Sequence, residues 1–138
     1  MWEYEHSVET TAAPGAIWRL WADVDGWQRW NADIEHVTLT GPFADGGEIV
    51  MTPRGQEPVR LRLIDVREDE GFVDEAAFGG AVFTTAHELR PAGPGRTRVS
   101  YKMQITGPEA DTIGPEIGPA ITADFPDTIA ALVALAES

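Results

Sequence analysis

Cysteine is absent from this 138-residue chain, which removes disulfides, thiolate nucleophiles and thiolate metal sites in one step. Serine occurs only at Ser7, Ser100 and Ser138. No Gly-x-Ser-x-Gly elbow surrounds them, and Ser7 and Ser100 fall on the outward phase of strand-like segments, so a serine nucleophile is not expected. Basic residues are scarce: ten against twenty-three acidic, a formal charge of −13. Such a surface repels phosphate, and neither nucleic acid nor an anionic membrane is an expected partner. No apolar run approaches the roughly 20 residues that cross a bilayer. The opening Met1-Trp2-Glu3-Tyr4-Glu5 lacks the basic start and apolar run of an export signal, so a cytoplasmic location is expected. A phosphate-cradling glycine loop and a His-Glu-x-x-His pair are missing too. His6, His36 and His87 show no metal-ligand spacing, and neither a metal nor an organic cofactor is expected.

What the chain does have is apolar mass. Hydrophobic residues make up 43%, enough for one folded domain over residues 1–138. Trp18, Trp21, Trp27 and Trp30 crowd into thirteen positions. Each ring can bury about 150–250 Å², on the order of 4–6 kcal/mol at about 25 cal/mol per Å². Rings on that scale cannot stay in water, so this stretch docks on an apolar surface supplied by the rest of the chain.

The pattern along the chain shows where that surface comes from. Trp2, Tyr4, His6 and Val8 alternate with Glu3, Glu5, Ser7 and Glu9, the period of a half-buried strand. Pro14 opens a helix carrying Ile17, Trp18, Leu20 and Trp21, and Asp23 to Gly26 ends it. Trp27 to Asn31 reads as a second short helical turn. Six strands follow, around Val37–Leu39, Ile49–Met51, Val59–Val66, Phe72–Phe78, Phe83–Leu89 and Val99–Ile105, separated by Gly, Pro and Asp turns. Short connections of this kind predict an antiparallel meander. Within 59–66, Leu61 and Leu63 imply one face and Ile64 and Val66 the other, so a bulge is expected between them and the facing of Arg62 stays open. The tail repeats Ile113, Ile117, Ile121, Phe125 and Ile129 every four residues, an apolar helical stripe. Pro115 and Pro119 disfavour a helix through its first part, so a long helix is expected from Pro119 to Ser138, with only a weaker turn or two over 109–118 and a bend at Pro126.

That order of elements resembles a known family, together with Ala13-Pro14-Gly15-Ala16-Ile17-Trp18, the Asp25-to-Asn31 segment, His87-Glu88-Leu89-Arg90-Pro91 and Gly95-Arg96-Thr97-Arg98-Val99. It is the START-like (SRPBCC, helix-grip) superfamily, and within it the polyketide cyclase/dehydrase-like group. The resemblance implies an α+β fold: a seven-stranded antiparallel sheet curled around a long C-terminal helix, with two short helices after the first strand. It also implies a cavity for an apolar or aromatic molecule between sheet and helix.

The candidate ligand-binding residues are Trp27, Trp30, Met51, Phe83, His87, Tyr101, Met103 and Phe125. Phe83, His87, Tyr101 and Met103 share the inward phase of two neighbouring strands. His87 could act as donor or base there, or be a core histidine satisfied by Thr85 or Tyr101. Met103 has the adaptable shape of a pocket liner. Trp27 and Trp30 fit an aromatic lid by analogy with the family or plain packing against the helix, and Phe125 fits a gate beside Pro126, where a static kink is the alternative. Where related cyclases carry a tyrosine and an arginine in the cavity, this chain has Ile34 and Val66, which argues against carrying over their chemistry. Binding of a small hydrophobic or aromatic molecule by a monomer or weak homodimer is therefore the leading expectation. An enzyme of the cyclase/dehydrase type working through His87 and Tyr101 is the alternative, and an interaction protein using the outer sheet face is a third. Two titratable side chains converging inside would favour the enzyme.

Overall fold

The computed structural model describes residues 1–138. Strand β1 (Trp2–Thr10) is followed by helix α1 (Pro14–Ala22) and a 3-10 turn (Val24–Arg29). Then come β2 (Ile34–Thr40), β3 (Glu48–Pro53), β4 (Val59–Arg67), β5 (Gly71–Phe78), β6 (Ala81–Pro91) and β7 (Thr97–Thr106). Helices α2 (Ala110–Thr122) and α3 (Phe125–Glu137) close the chain. The seven strands form one antiparallel sheet in the order β1-β7-β6-β5-β4-β3-β2, so the expected meander is present and β1 joins it beside β7. Its inner face carries the even residues of β1 and the odd residues of β6, whose burial alternates strictly along the strand.

The expected bulge lies in β4, where the register with β5 shifts between Leu63 and Asp65. Ile64 is the extra residue and is exposed, while Leu63 and the half-buried Val66 both face inward. Arg62 is exposed on the outer face, which closes the question of its direction. Gly79 and Gly80, at φ 60° and 83°, make the two-residue turn joining β5 to β6. That turn needs positive φ at both central positions, which glycine adopts without strain.

Two helical expectations need correction. The short turn begins at Val24 rather than Trp27 and ends at Arg29. Arg29 donates from Nη2 to Asp23 Oδ2 at 3.0 Å and Trp27 donates its indole N–H to the Trp21 carbonyl at 2.8 Å, pulling the turn forward. At the C-terminus, α2 starts at Ala110 with Pro115 and Pro119 inside it, and the break falls at Ala123-Asp124, with Pro126 in the first turn of α3. Tertiary packing overrides the prolines. Gly114 and Gly118 lie directly on Trp2, so closely that a Cβ at Gly118 would sit 2.8 Å from its ring carbons. The indole burial this permits offsets the bonds the prolines remove. Pro126 costs little in a first turn, where its N–H would have no partner. By length and composition the helical run Ala110–Glu137, at a mean hydropathy of 1.3, is long and apolar enough to cross a bilayer, against the expectation that no stretch approaches this. Here α2 packs on β1 and β7, and α3 on β1 and α1.

Two apolar clusters result. The larger joins Trp18, Trp21, Trp27 and Trp30 to Phe72, Tyr101, Ile129 and Leu132. The smaller gathers Ala81, Phe83, Met103, Ile105 and Ala110 at the α2 end. Phe125, half-buried at the start of α3, packs against both.

Candidate ligand site on the inner face of the sheet

Cross-strand register arranges the inner face in rows. One row runs Val66, Phe72, His87, Tyr101 and His6; the next runs Leu63, Asp74, Thr85, Met103 and Tyr4. Neighbouring rows lie about 6.8 Å apart along the strands.

The first row is solid. The His87 ring stacks on Phe72 at 3.9 Å and 8°, with Tyr101 edge-on at 4.5 Å. Trp21, fully buried, covers this group with its ring centre 5.4 Å from Phe72 and 5.9 Å from His87. His87 Nδ1 lies 3.2 Å from the Phe72 carbonyl; a carbonyl only accepts, so Nδ1 carries the proton. Burial holds the His87 pKa down at about 3, so the ring is neutral. His87 is thus a core histidine, satisfied by the Phe72 carbonyl and, as expected, by Thr85, through its backbone. A role as general base at ordinary pH does not fit. Trp21 Nε1 donates to the Tyr101 hydroxyl at 3.1 Å, and burial raises the Tyr101 pKa. Tyr101 therefore stays protonated, with its own O–H hydrogen still free to donate.

The second row is different. Asp74 is only 6% exposed, and Thr85, Met103 and His87 beside it keep 6–8%. Burial alone lifts the Asp74 pKa to about 7, with no hydrogen bond or opposite charge to lower it. Its charge in turn contributes, after burial, to raising Tyr101. The sequence reading passed over Asp74, although it shares the inward phase of Phe72 two residues earlier. Asp74 and Tyr101 thus share the inner face but stand two strands and one row apart and do not converge.

The remaining predicted residues divide between the clusters. Phe83 and Met103 come together in the smaller one. Trp27, Trp30 and Met51 pack in the larger, so the two indoles are part of the core at one end of the sheet rather than a free lid. Ile34 is buried there as well. Phe125 touches Tyr4 and Tyr101 edge-on at 6.0 and 5.7 Å. The open chamber expected between sheet and helix is instead filled by rings. At the surface, a cleft of about 260 Å³ lies between residues 28–33 and the first turns of α3. Trp30 borders it and has a buried indole N–H without a partner. Across it Asp124 meets Asp33, and burial followed by that neighbour raises Asp124 to about 6. No three His, Asp or Glu side chains are gathered as a metal would require. Ser7 and Ser100, paired across β1 and β7, hydrogen-bond to each other at 2.7 Å.

Residues 1–137 match the family described as polyketide cyclase/dehydrase and lipid transport. The chain belongs to that family. Among solved structures similar to this polyketide cyclase/dehydrase-family chain is a START superfamily protein from Mycobacterium smegmatis, with TM-score 0.76, 16% identity, and coverage of 98% of this chain and 97% of that one. Norcoclaurine synthase from Thalictrum flavum, in complex with dopamine and hydroxybenzaldehyde, gives 0.74 and 16% over 96% of this chain and 84% of that one. The di-domain ARO/CYC protein BexL of the BE-7585A biosynthetic pathway gives 0.76 and 18%, over 99% of this chain and 47% of that one. These likenesses establish the helix-grip fold. No curated protein matches the sequence. The inner face of this family chain thus sets the Tyr101 hydroxyl, Asp74 and Thr85 as polar groups in a largely apolar wall.

Proposed function

We propose that this chain binds a small aromatic or polyketide-like molecule against the inner face of its sheet, between the two apolar clusters. One observation carries the reading: in the middle of the sheet the polar Asp74 and Thr85 stand side by side on the inward phase, between two apolar clusters that Phe125 bridges. Ligand sites are largely apolar surfaces with a few polar groups that fix orientation, and Tyr101 with Asp74 supplies that pair. Entry requires Phe125 to swing away from Tyr4 and Tyr101. Its place at the break between α2 and α3, next to Pro126, lets it do so without unwinding a helix interior. Binding takes place in the cytoplasm, by a monomer or weak homodimer, without a metal or organic cofactor.

Titration of the purified protein with 2-naphthol, followed by tryptophan fluorescence and calorimetry, tests this. Met103→Trp, which adds bulk between the two clusters where the ligand would lie, should abolish binding while leaving the circular dichroism spectrum intact. Phe125→Ala should speed association. Unchanged affinity in Met103→Trp would place the ligand elsewhere and end the proposal.

A further inference from the structure

The cleft between residues 28–33 and the first turns of α3 brings together two unmet needs of different kinds. The first is negative charge without a counter-ion. Asp33, from the loop before β2, and Asp124 and Asp127, from the start of α3, all line it. Asp33 stands within hydrogen-bond reach of Asp124, and the charges acting on Asp124 are those of Asp33 and Asp127, both of its own sign. None of the three enters a salt bridge. Arg29 lines the cleft but pairs with Asp23 at 3.0 Å, and Arg54 donates from Nε to the Ala32 carbonyl at 2.8 Å. The second is a donor without an acceptor. Trp30 lines the same cleft and is only 5% exposed, and its indole N–H is the protein's one buried side-chain polar atom with no hydrogen-bond partner. Its neighbour Trp27 shows the ordinary arrangement, an indole N–H satisfied by the Trp21 carbonyl at 2.8 Å. A buried donor left unpaired is unfavourable for folding and calls for an explanation.

We propose that this cleft binds a small organic ammonium ion that also carries an oxygen acceptor, with its –NH₃⁺ between Asp33 and Asp124 and its oxygen on the Trp30 N–H. An ammonium group has three N–H donors and can serve both carboxylates at once. It takes the place of the proton for which the pair otherwise competes, and charge-assisted hydrogen bonds of this kind are the strong ones. A bare metal ion would leave the indole donor unanswered, and no three carboxylates are gathered as a metal requires. An anion would meet three carboxylates. Drug-sized ligands occupy about 300–1,000 Å³, so a cleft of about 260 Å³ suits a smaller molecule. The site is separate from the inner face of the sheet, so this proposal and the binding reading above stand or fall independently.

The experiment titrates the full ¹⁵N-labelled chain with 4-aminobutanamide in phosphate buffer at pH 8, following the indole N–H signals of its five tryptophans by NMR. Trp30→Phe, which keeps an aromatic ring, identifies the Trp30 signal by its loss. In wild type that signal should move along a saturating curve with 4-aminobutanamide and stay still with butyramide, which has the oxygen but no charge. Asp33→Asn and Asp124→Asn should each weaken binding about tenfold. Glu68→Gln, an equal change of charge on an exposed turn, should leave it as it is. Trp30→Phe, followed through the backbone amides of residues 31–33, should bind 4-aminobutanamide no better than butylamine. The other indole signals report that each variant stays folded. A Trp30 signal that does not move up to about 10 mM amine overturns the proposal, as does butyramide binding equally well. Asp33 and Asp124 variants that bind like Glu68→Gln also overturn it, leaving only the general pull of a chain of formal charge −13 on cations. A preference for the amide that survives Trp30→Phe overturns the role given to the indole.

Discussion

Two adjacent rows of the same sheet face have been built to opposite specifications. Along Phe72, His87 and Tyr101 every ring touches another, the imidazole is tied to a carbonyl, and Trp21 is sealed over the group. One row further, Asp74 lies buried among Leu63, Thr85 and Met103 without a hydrogen bond or an opposite charge to lower its pKa. The first arrangement is what stability asks for, dense packing with polar groups satisfied. The second is unfavourable for folding. Groups of that kind concentrate where a protein meets a ligand, because their unmet demand becomes binding or chemistry. In this chain the indole-rich row anchors the fold and the Asp74 row is left available.

The sharpest way to break the contrast is to remove the anchor. Trp21→Ala takes away a ring that is fully buried against Phe72, His87 and Tyr101. It should cost about 3–5 kcal/mol, read as a lower urea midpoint. A loss under about 1 kcal/mol would mean the row is not what holds the sheet to α1.

Next in size, and opposite in sign, is Asp74→Asn. The folded-state pKa of Asp74 is raised from 3.8 to about 7, so the folded protein prefers the protonated acid. That contribution is fully present below about pH 4 and is lost as pH rises through 7. The variant should therefore match wild type near pH 4 and be more stable at pH 8. At about 1.4 kcal/mol per pKa unit, the upper scale is about 4 kcal/mol. His87 runs the other way. Its pKa is lowered from 6.5 to about 3, so its contribution is present above pH 6.5 and is lost as pH falls toward 3. Chemical denaturation of wild type and variant across pH 4 to 8 separates the two, since His87 is common to both. Equal stability at pH 8 would show that Asp74 has a partner after all and that the two rows do not differ.

The same contrast explains what the sequence made legible. Alternation in β1, β6 and β7, glycine turns and the conflict of phase around Leu63 and Ile64 are local signals, and they specified the strands, the bulge and the inner-face positions of Phe83, His87, Tyr101 and Met103. The helices were harder because their limits depend on distant contacts. Nothing near Pro115 announces that Gly114 and Gly118 will rest on Trp2, more than a hundred residues earlier. Filling of the interior was equally hidden, since the choice between a lid and a core plug for Trp27 and Trp30 depends on how far the sheet curls. Asp74 was within reach of the strand period, but an acidic residue on an apolar phase reads as a register slip until the neighbouring strands fix it.

The smallest effect tests whether a shared proton at the surface behaves like a buried one. Asp124 stands at the N-cap of α3 and faces Asp33 across the cleft, and burial together with that carboxyl raises it to about 6. Its favourable contribution is therefore lost as pH rises through 6, and Asp124→Asn should stabilise the protein at pH 8 and leave it unchanged near pH 4. Asparagine caps a helix as well as aspartate does, so the substitution carries little cost of its own. Because Asp124 is half open to water, solvent screens most of the repulsion, and the gain should stay below about 1 kcal/mol. Thermal melts at the two pH values measure it. A gain as large as that of Asp74→Asn would show that the cleft is as dry as the inner face, and the site would then extend from Asp74 past Phe125 to Trp30.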